Sequence, residues 1–171
     1  TPMGTDTYVI RGGVEARERL RLLSEVMGPS TCALLADVGI REGSVCLDVG
    51  CGGGDVTFEL ARAAGPTGRG AGVDLDDTKI EIARREGAQQ ALAIVAFETR
   101  DVTEWEPAEL FDVVFARFPL PHLVTPGALV SAMRRHLRPG GVIVVEDVDF
   151  RGHFADEGAP RNDRRALRVR A

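Results

Sequence analysis

Aromatic side chains make up only 5% of the chain, with one tryptophan, Trp105, and one tyrosine, Tyr8, which argues against a binding module built on stacked rings. Cysteine is equally sparse. Cys32, Cys46 and Cys51 are odd in number and form no CxxC pair, so neither a disulfide framework nor a zinc site is signalled, and reduced thiols are expected. No apolar run approaches the length of a bilayer span, and the first residues form neither a basic nor an apolar leader, so a cytoplasmic protein with no membrane partner is expected. A basic excess is lacking too. The 21 Lys and Arg residues face 26 Asp and Glu, a formal charge of -5, which disfavours nucleic acid as a partner. Lys79 is the only lysine, a bias toward arginine that carries no functional inference.

What is present is 171 residues, 44% apolar and 27% charged, enough for one globular domain with its own core. Thr1 and Pro2, ahead of Met3, are set aside from the fold argument. From Val14 to Met27, the residues Leu20, Leu23 and Met27 fall at i, i+3 and i+7 among Arg and Glu, which predicts an amphipathic helix. Ser30 then reads as the N-cap of a second, shorter helix that ends before Gly39.

Beyond Ser44 the pattern alternates strand and helix, the sign of a parallel sheet covered by helices on both faces. Strands are predicted at 45–49, 70–75, 92–99, 111–116 and 142–146, mostly short runs of Val, Ile and Leu suited to burial on both sides. Helices are predicted at 55–64, 78–91 and 127–137, with one weak turn of helix at 104–110 interrupted by Pro107. After Phe150 the composition shifts to a polar, punctuated stretch with six arginines against three acids. It reads as a basic tail with no sixth or seventh strand and at most a short helix.

The informative segment is Val45-Cys46-Leu47-Asp48-Val49-Gly50-Cys51-Gly52-Gly53-Gly54-Asp55, a strand feeding a glycine loop that opens a helix. Such a loop brings backbone N–H groups close to a ligand at a helix N-terminus. A dinucleotide fingerprint needs Gly or Ala where Asp55 stands, and a pyrophosphate would also meet Asp48, so both acids disfavour NAD. Asp48 suits a ligand carrying an ammonium group instead.

These residues resemble motif I of the class I S-adenosylmethionine-dependent methyltransferases, and the likeness extends over roughly residues 35–150. Gly72-Val73-Asp74-Leu75 is similar to that family's acidic ribose clamp, Thr99-Arg100-Asp101-Val102 to its adenine site, and Leu137-Arg138-Pro139-Gly140-Gly141 to its turn before the fifth strand. Phe111 to Arg117 resembles the fourth strand, whose end lines the methionine part of the cofactor. The resemblance implies a Rossmann-like α/β fold lacking the final strand pair. It also implies S-adenosylmethionine as cofactor, S-adenosylhomocysteine as product, and contacts from Tyr8, Asp48, Gly50, Cys51, Gly52, Asp74, Leu75, Asp101, Val102 and Arg117.

On this reading residues 1–43 form a helical cap, with Tyr8, Arg11, Gly12 and Gly13 as its lid, 44–150 the cofactor-binding core and 151–171 the basic tail. The expected activity is methyl transfer to a small organic acceptor, with His122 as the candidate base and Glu146 and Asp147 at the same crevice. Cys51 lacks an activating partner and is not read as a nucleophile. Metal-ligand spacing is absent. The alternatives are a non-catalytic cofactor-binding fragment or subunit and, behind it, an NAD-dependent oxidoreductase. The missing strand pair leaves the edge of the fifth strand open, so the expectation is either a homodimer that buries this edge or a domain of modest stability.

Overall fold

The computed structural model describes residues 14–90, 94–118, 126–148 and 164–170. Among these residues ten elements follow one another: α1 (Val14–Val38), β1 (Val45–Val49), α2 (Asp55–Ala64), β2 (Arg69–Asp74), α3 (Asp77–Gln89), β3 (Val95–Thr99), β4 (Phe111–Arg117), α4 (Pro126–Arg135), β5 (Leu137–Val148) and β6 (Arg164–Arg170). The sheet order is β3-β2-β1-β4-β5-β6. The first five strands are parallel. The chain therefore leaves β1 toward β2 and β3, then crosses back to β4. That reversal opens a crevice at the carboxyl ends of β1 and β4, where ligands bind in open α/β sheets.

Alternation within the buried strands sorts their side chains onto two faces. Leu47, Val114 and Ile143 pack with Leu129, Ala132 and Met133 of α4. On the opposite face Cys46, Phe115 and Val144 meet Leu35 of α1 and Val56 and Leu60 of α2. A third cluster joins Phe58 of α2, Ile80 and Ala83 of α3, and Phe97 of β3 beside Cys51.

Three expectations are corrected. The helix break at Ser30 does not occur: α1 runs through Pro29. Met27, Thr31, Leu35 and Val38 form one buried stripe that crosses the proline, so tertiary burial outweighs the lost backbone hydrogen bond. Ser30 donates back to the Met27 carbonyl (2.9 Å) rather than capping forward. The single turn of helix expected at 104–110 lies earlier, at 102–104, where the Trp105 N–H donates to the Asp101 carbonyl (2.9 Å).

The basic tail contains a strand. β6 pairs antiparallel with β5, Leu167 opposite Val145 and Val169 opposite Ile143. Arginines that read against a strand are compatible with an edge, where charge discourages further pairing. The edge of β5 is thus occupied, which removes the reason given for a homodimer. Tyr8, Arg11, Gly12, Gly13 and His122 lie outside the described residues.

Gly72 of β2 shows how tightly the sheet fits under α3. A Cβ there would lie 2.7 Å from the Phe97 ring and 2.9 Å from the Cys51 sulfur. Gly72→Ala is expected to destabilise the fold by about 1–3 kcal/mol through overpacking, read from the urea midpoint. An unchanged midpoint would refute this packing.

Candidate functional site

At the end of β1 the chain must turn sharply to start α2, and it does so across the end of β2. The Gly50 and Cys51 N–H groups both donate to the Val73 carbonyl, at 2.8 and 3.0 Å. Gly50 has φ 71°, a left-handed conformation that favours glycine, and a Cβ on it would face open space. Gly54, the N-cap of α2, has φ 89° and sits so close to Phe97 that a Cβ would lie 2.7 Å from that ring. The loop is therefore closed on its inner side and open above Gly50.

Asp74 joins the loop to β2. Its Oδ2 accepts from the Gly52 N–H at 3.0 Å, and its Oδ1 accepts from the Asp76 N–H at 3.0 Å. Each carboxylate oxygen has two lone-pair sites, so among the described residues Asp74 keeps one free on each oxygen. Leu75 beside it is 71% exposed, an apolar surface at the same strand end. The Arg100 N–H donates to the Asp74 carbonyl (3.0 Å), which brings the end of β3 alongside. There, Asp101 accepts through Oδ1 from the N–H and the hydroxyl of Thr103, at 2.8 and 2.6 Å, while Oδ2 accepts no hydrogen bond among the described residues. Val102 is buried just behind it.

Not every expected contact faces the crevice. Asp48 is only 2% exposed, under the loop, where one oxygen accepts from the Thr57 hydroxyl at 2.7 Å. Burial pushes its carboxyl up to about 6, against the opposing pull of that hydrogen bond and of the Arg117 charge. Its observed contact ties β1 to α2. Cys51 is buried too, and burial foremost, then Asp48 and Asp74, raises its thiol well above the ordinary range. It stays protonated and is no nucleophile. Cys32, Cys46 and Cys51 are all free thiols. Glu146, read as open to the crevice, is 3% exposed and accepts from the Thr31 hydroxyl at 2.8 and 3.1 Å. Among the described residues no cluster could hold a metal ion.

The feature not legible in the sequence is a row of polar residues along α1, spaced seven apart: Arg17, Ser24 and Thr31. Seven residues advance a helix by about 10.5 Å and nearly two full turns, so all three share one face. Arg17 lies against Gly53 and bridges two helices, reaching Asp55 at 2.9 and 3.0 Å and Glu86 through Nε at 2.7 Å. These bonds, the one to Glu86 foremost, raise its already high pKa. Asp55 is thereby ion-paired, but Arg17 is shared with Glu86, so one guanidinium faces two carboxylates and the negative charge beside the loop is only partly offset. Ser24 accepts from the Arg117 guanidinium (3.0 Å), and Thr31 holds Glu146. The heptad spacing was visible in the sequence, but its partners come from α2, α3, β4 and β5.

A family profile described as "Methyltransferase domain" matches residues 40–165. The chain is a class I S-adenosylmethionine-dependent methyltransferase family member. Demethylmenaquinone methyltransferase from Staphylococcus aureus is 32% identical over 117 residues, covering 65% of this chain and 46% of that protein. The chain thus spans less than half the length of the curated relatives it matches. Among solved structures, an S-adenosylmethionine-dependent methyltransferase from Aquifex aeolicus aligns with a TM-score of 0.66 at 22% identity, over 76% of this chain and 69% of its own. Coclaurine N-methyltransferase bound to N-methylheliamine and S-adenosylhomocysteine aligns at 0.63 and 22%, over 70% of this chain and 35% of its own. The [4+2]-cyclase SpnF aligns at 0.61 and 27%, over 68% and 43%. The fold by itself therefore does not dictate the reaction.

The buried Asp48 makes stability depend on pH. Its folded pKa lies above its ordinary value of 3.8, so the unfolded chain loses this proton first as pH rises. The penalty is absent below about pH 4, grows to about pH 6 and is then constant at about 2–3 kcal/mol. Asp48→Asn, which keeps an acceptor for Thr57, is expected to melt higher than the parent at pH 7.5, with the gap closing by pH 4. A gap that does not change with pH would show that the buried charge is not its cause.

Proposed function

We propose that this chain binds S-adenosylmethionine across residues 50–54 and transfers its methyl group to a small organic acceptor. The observation that carries the reading is the Asp74 carboxylate. It is fixed to the glycine loop through the Gly52 N–H, yet keeps one acceptor site on each oxygen, matching the two neighbouring hydroxyls of a ribose. The surrounding residues fit the rest of that cofactor. Leu75 offers an apolar face to the adenine, and Asp101 Oδ2 is free to accept from its amino group. Gly50 leaves room for the amino-acid end near the end of β4, where the backbone at Arg117 borders the crevice.

Bound here, S-adenosylmethionine supplies a methyl group on an already activated sulfonium. The protein's part is then to hold the acceptor in line and exclude water. Only an acceptor that must lose a proton requires a base, and His122 is the residue we assign to that task. Tyr8 is assigned to the cofactor as part of a lid. No described helix is long and apolar enough to cross a membrane. The three free thiols support a cytoplasmic setting.

The cofactor assignment is tested by calorimetry with S-adenosylmethionine, S-adenosylhomocysteine and NAD. Both sulfur nucleosides are expected to bind and NAD is not. Asp74→Ala is expected to lose about 1.5–3 kcal/mol of affinity for S-adenosylhomocysteine, since charged hydrogen bonds to the sugar go with it. Unchanged affinity in that variant would reject the site.

A further inference from the structure

Below α1, against the first turn of α2 and the end of β4, lies a cavity of about 300 Å³. Its lining holds three arginines, Arg21, Arg62 and Arg117, and three carboxylates, Glu25, Asp55 and Glu59. Most of these charges already engage one another. Arg21 pairs with Glu18 at 2.9 Å and Glu25 at 3.9 Å, and Arg62 pairs with Glu59. Asp55 is held by Arg17. Arg117 is the exception: among the described residues no carboxylate lies within ion-pair distance of its guanidinium.

The fold keeps it so. Arg117 and Glu146 are direct partners in the β4–β5 register and point to the same face of the sheet. They would be natural counter-ions, but Thr31 takes the Glu146 carboxylate and Ser24 takes an Arg117 N–H, two turns apart on the same helix face. The next residue, Phe118, is the only described non-glycine residue with positive φ, 55°, and its ring lies 5.9 Å from the Arg117 guanidinium carbon. A backbone held in this region is strained and persists where the surroundings fix it, often at functional sites. The outcome is a half-buried guanidinium beside an aromatic ring, at the carboxyl end of β4, with donors in a fork and, among the described residues, only a neutral hydroxyl and a ring as partners. A planar carboxylate satisfies that fork with two parallel hydrogen bonds.

We propose that Arg117 is the acceptor-recognition residue: its guanidinium opens into the cavity under α1 and holds a carboxylate carried by the acceptor. The inference rests on the methyltransferase reading and narrows its substrate class to small organic acids. Asp48 lies near enough to feel the Arg117 charge, but it is buried and bonded to Thr57, so it does not fill this role.

The test uses the full chain, free and loaded with S-adenosylhomocysteine, and two matched probe pairs: 4-hydroxybenzoate with 4-hydroxybenzamide, and indole-3-acetate with indole-3-acetamide. Affinities are read by calorimetry or ligand-observed NMR. At least one acid is expected to bind tenfold or more tighter than its amide. Arg117→Met should abolish that preference, and Arg117→Lys, which keeps the charge but loses the fork, should retain only part of it. Melting temperatures check that each variant folds, and if the Met variant does not, the Lys variant carries the comparison. Equal binding of acid and amide by the parent chain, including no binding of either, would overturn the proposal, as would a preference that survives in both variants. A third outcome also overturns it: if the variants weaken S-adenosylhomocysteine tenfold but leave 5′-methylthioadenosine unaffected, the carboxylate is the cofactor's own. Failure of the parent chain to bind S-adenosylhomocysteine would instead sink the cofactor reading, and the acid–amide comparison on the free chain would still be read by itself.

Discussion

The attachment of the glycine loop to the end of β2 is the contact on which the site depends. A chain leaving β1 for α2 must bend within a few residues, and here two consecutive N–H groups converge on the Val73 carbonyl while the Gly52 N–H engages the Asp74 carboxylate. Those bonds fix the opening of α2, the position of Asp74 and the floor of the crevice together. They also explain why the space under the loop is so crowded. Phe97, Phe58 and the buried Asp48–Thr57 pair leave the loop no freedom to sink, so its open side is the solvent side above Gly50.

Over this floor α1 acts as a brace. Its apolar stripe packs on the sheet, and its polar row at every seventh residue reaches four other elements. One end lies on Gly53 through Arg17, the middle meets Arg117 and the far part covers Glu146. Arg17 ties Asp55 into an ion pair that it shares with Glu86, and Thr31 holds the buried Glu146, so both acids that the sequence placed at the crevice are engaged by α1. The charge balance of the pocket is consequently decided by a helix that precedes the glycine loop in the chain.

A demethylmenaquinone methyltransferase and a [4+2]-cyclase are both similar to this chain, so the fold alone does not decide which reaction runs on it. The parallel strands position a cofactor crevice that many reactions share.

Much was legible in the sequence because it rests on local chemistry. Short apolar runs, most of them rich in Val, Ile and Leu, marked five strands, the alternation with helices gave their parallel order, and the glycine run after Val49 marked the loop. Asp74 and Asp101 were recognisable because the segments around them resemble the ribose and adenine sites of the methyltransferase family, one at the end of β2 and the other just past β3. The rest depended on contacts between distant segments. Pro29 stays inside a helix because a buried stripe continues across it. The arginines of β6 occupy a sheet edge because β5 offers a partner there. Asp48 and Glu146 look in sequence like any strand-end carboxylates, and only packing against Thr57 and Thr31 makes one raise its proton affinity and hides the other. Residue type and spacing determined the elements and the loop. Whether a charge faces ligand, solvent or another side chain was set by which helix came to lie on it, and that is a property of the assembled fold.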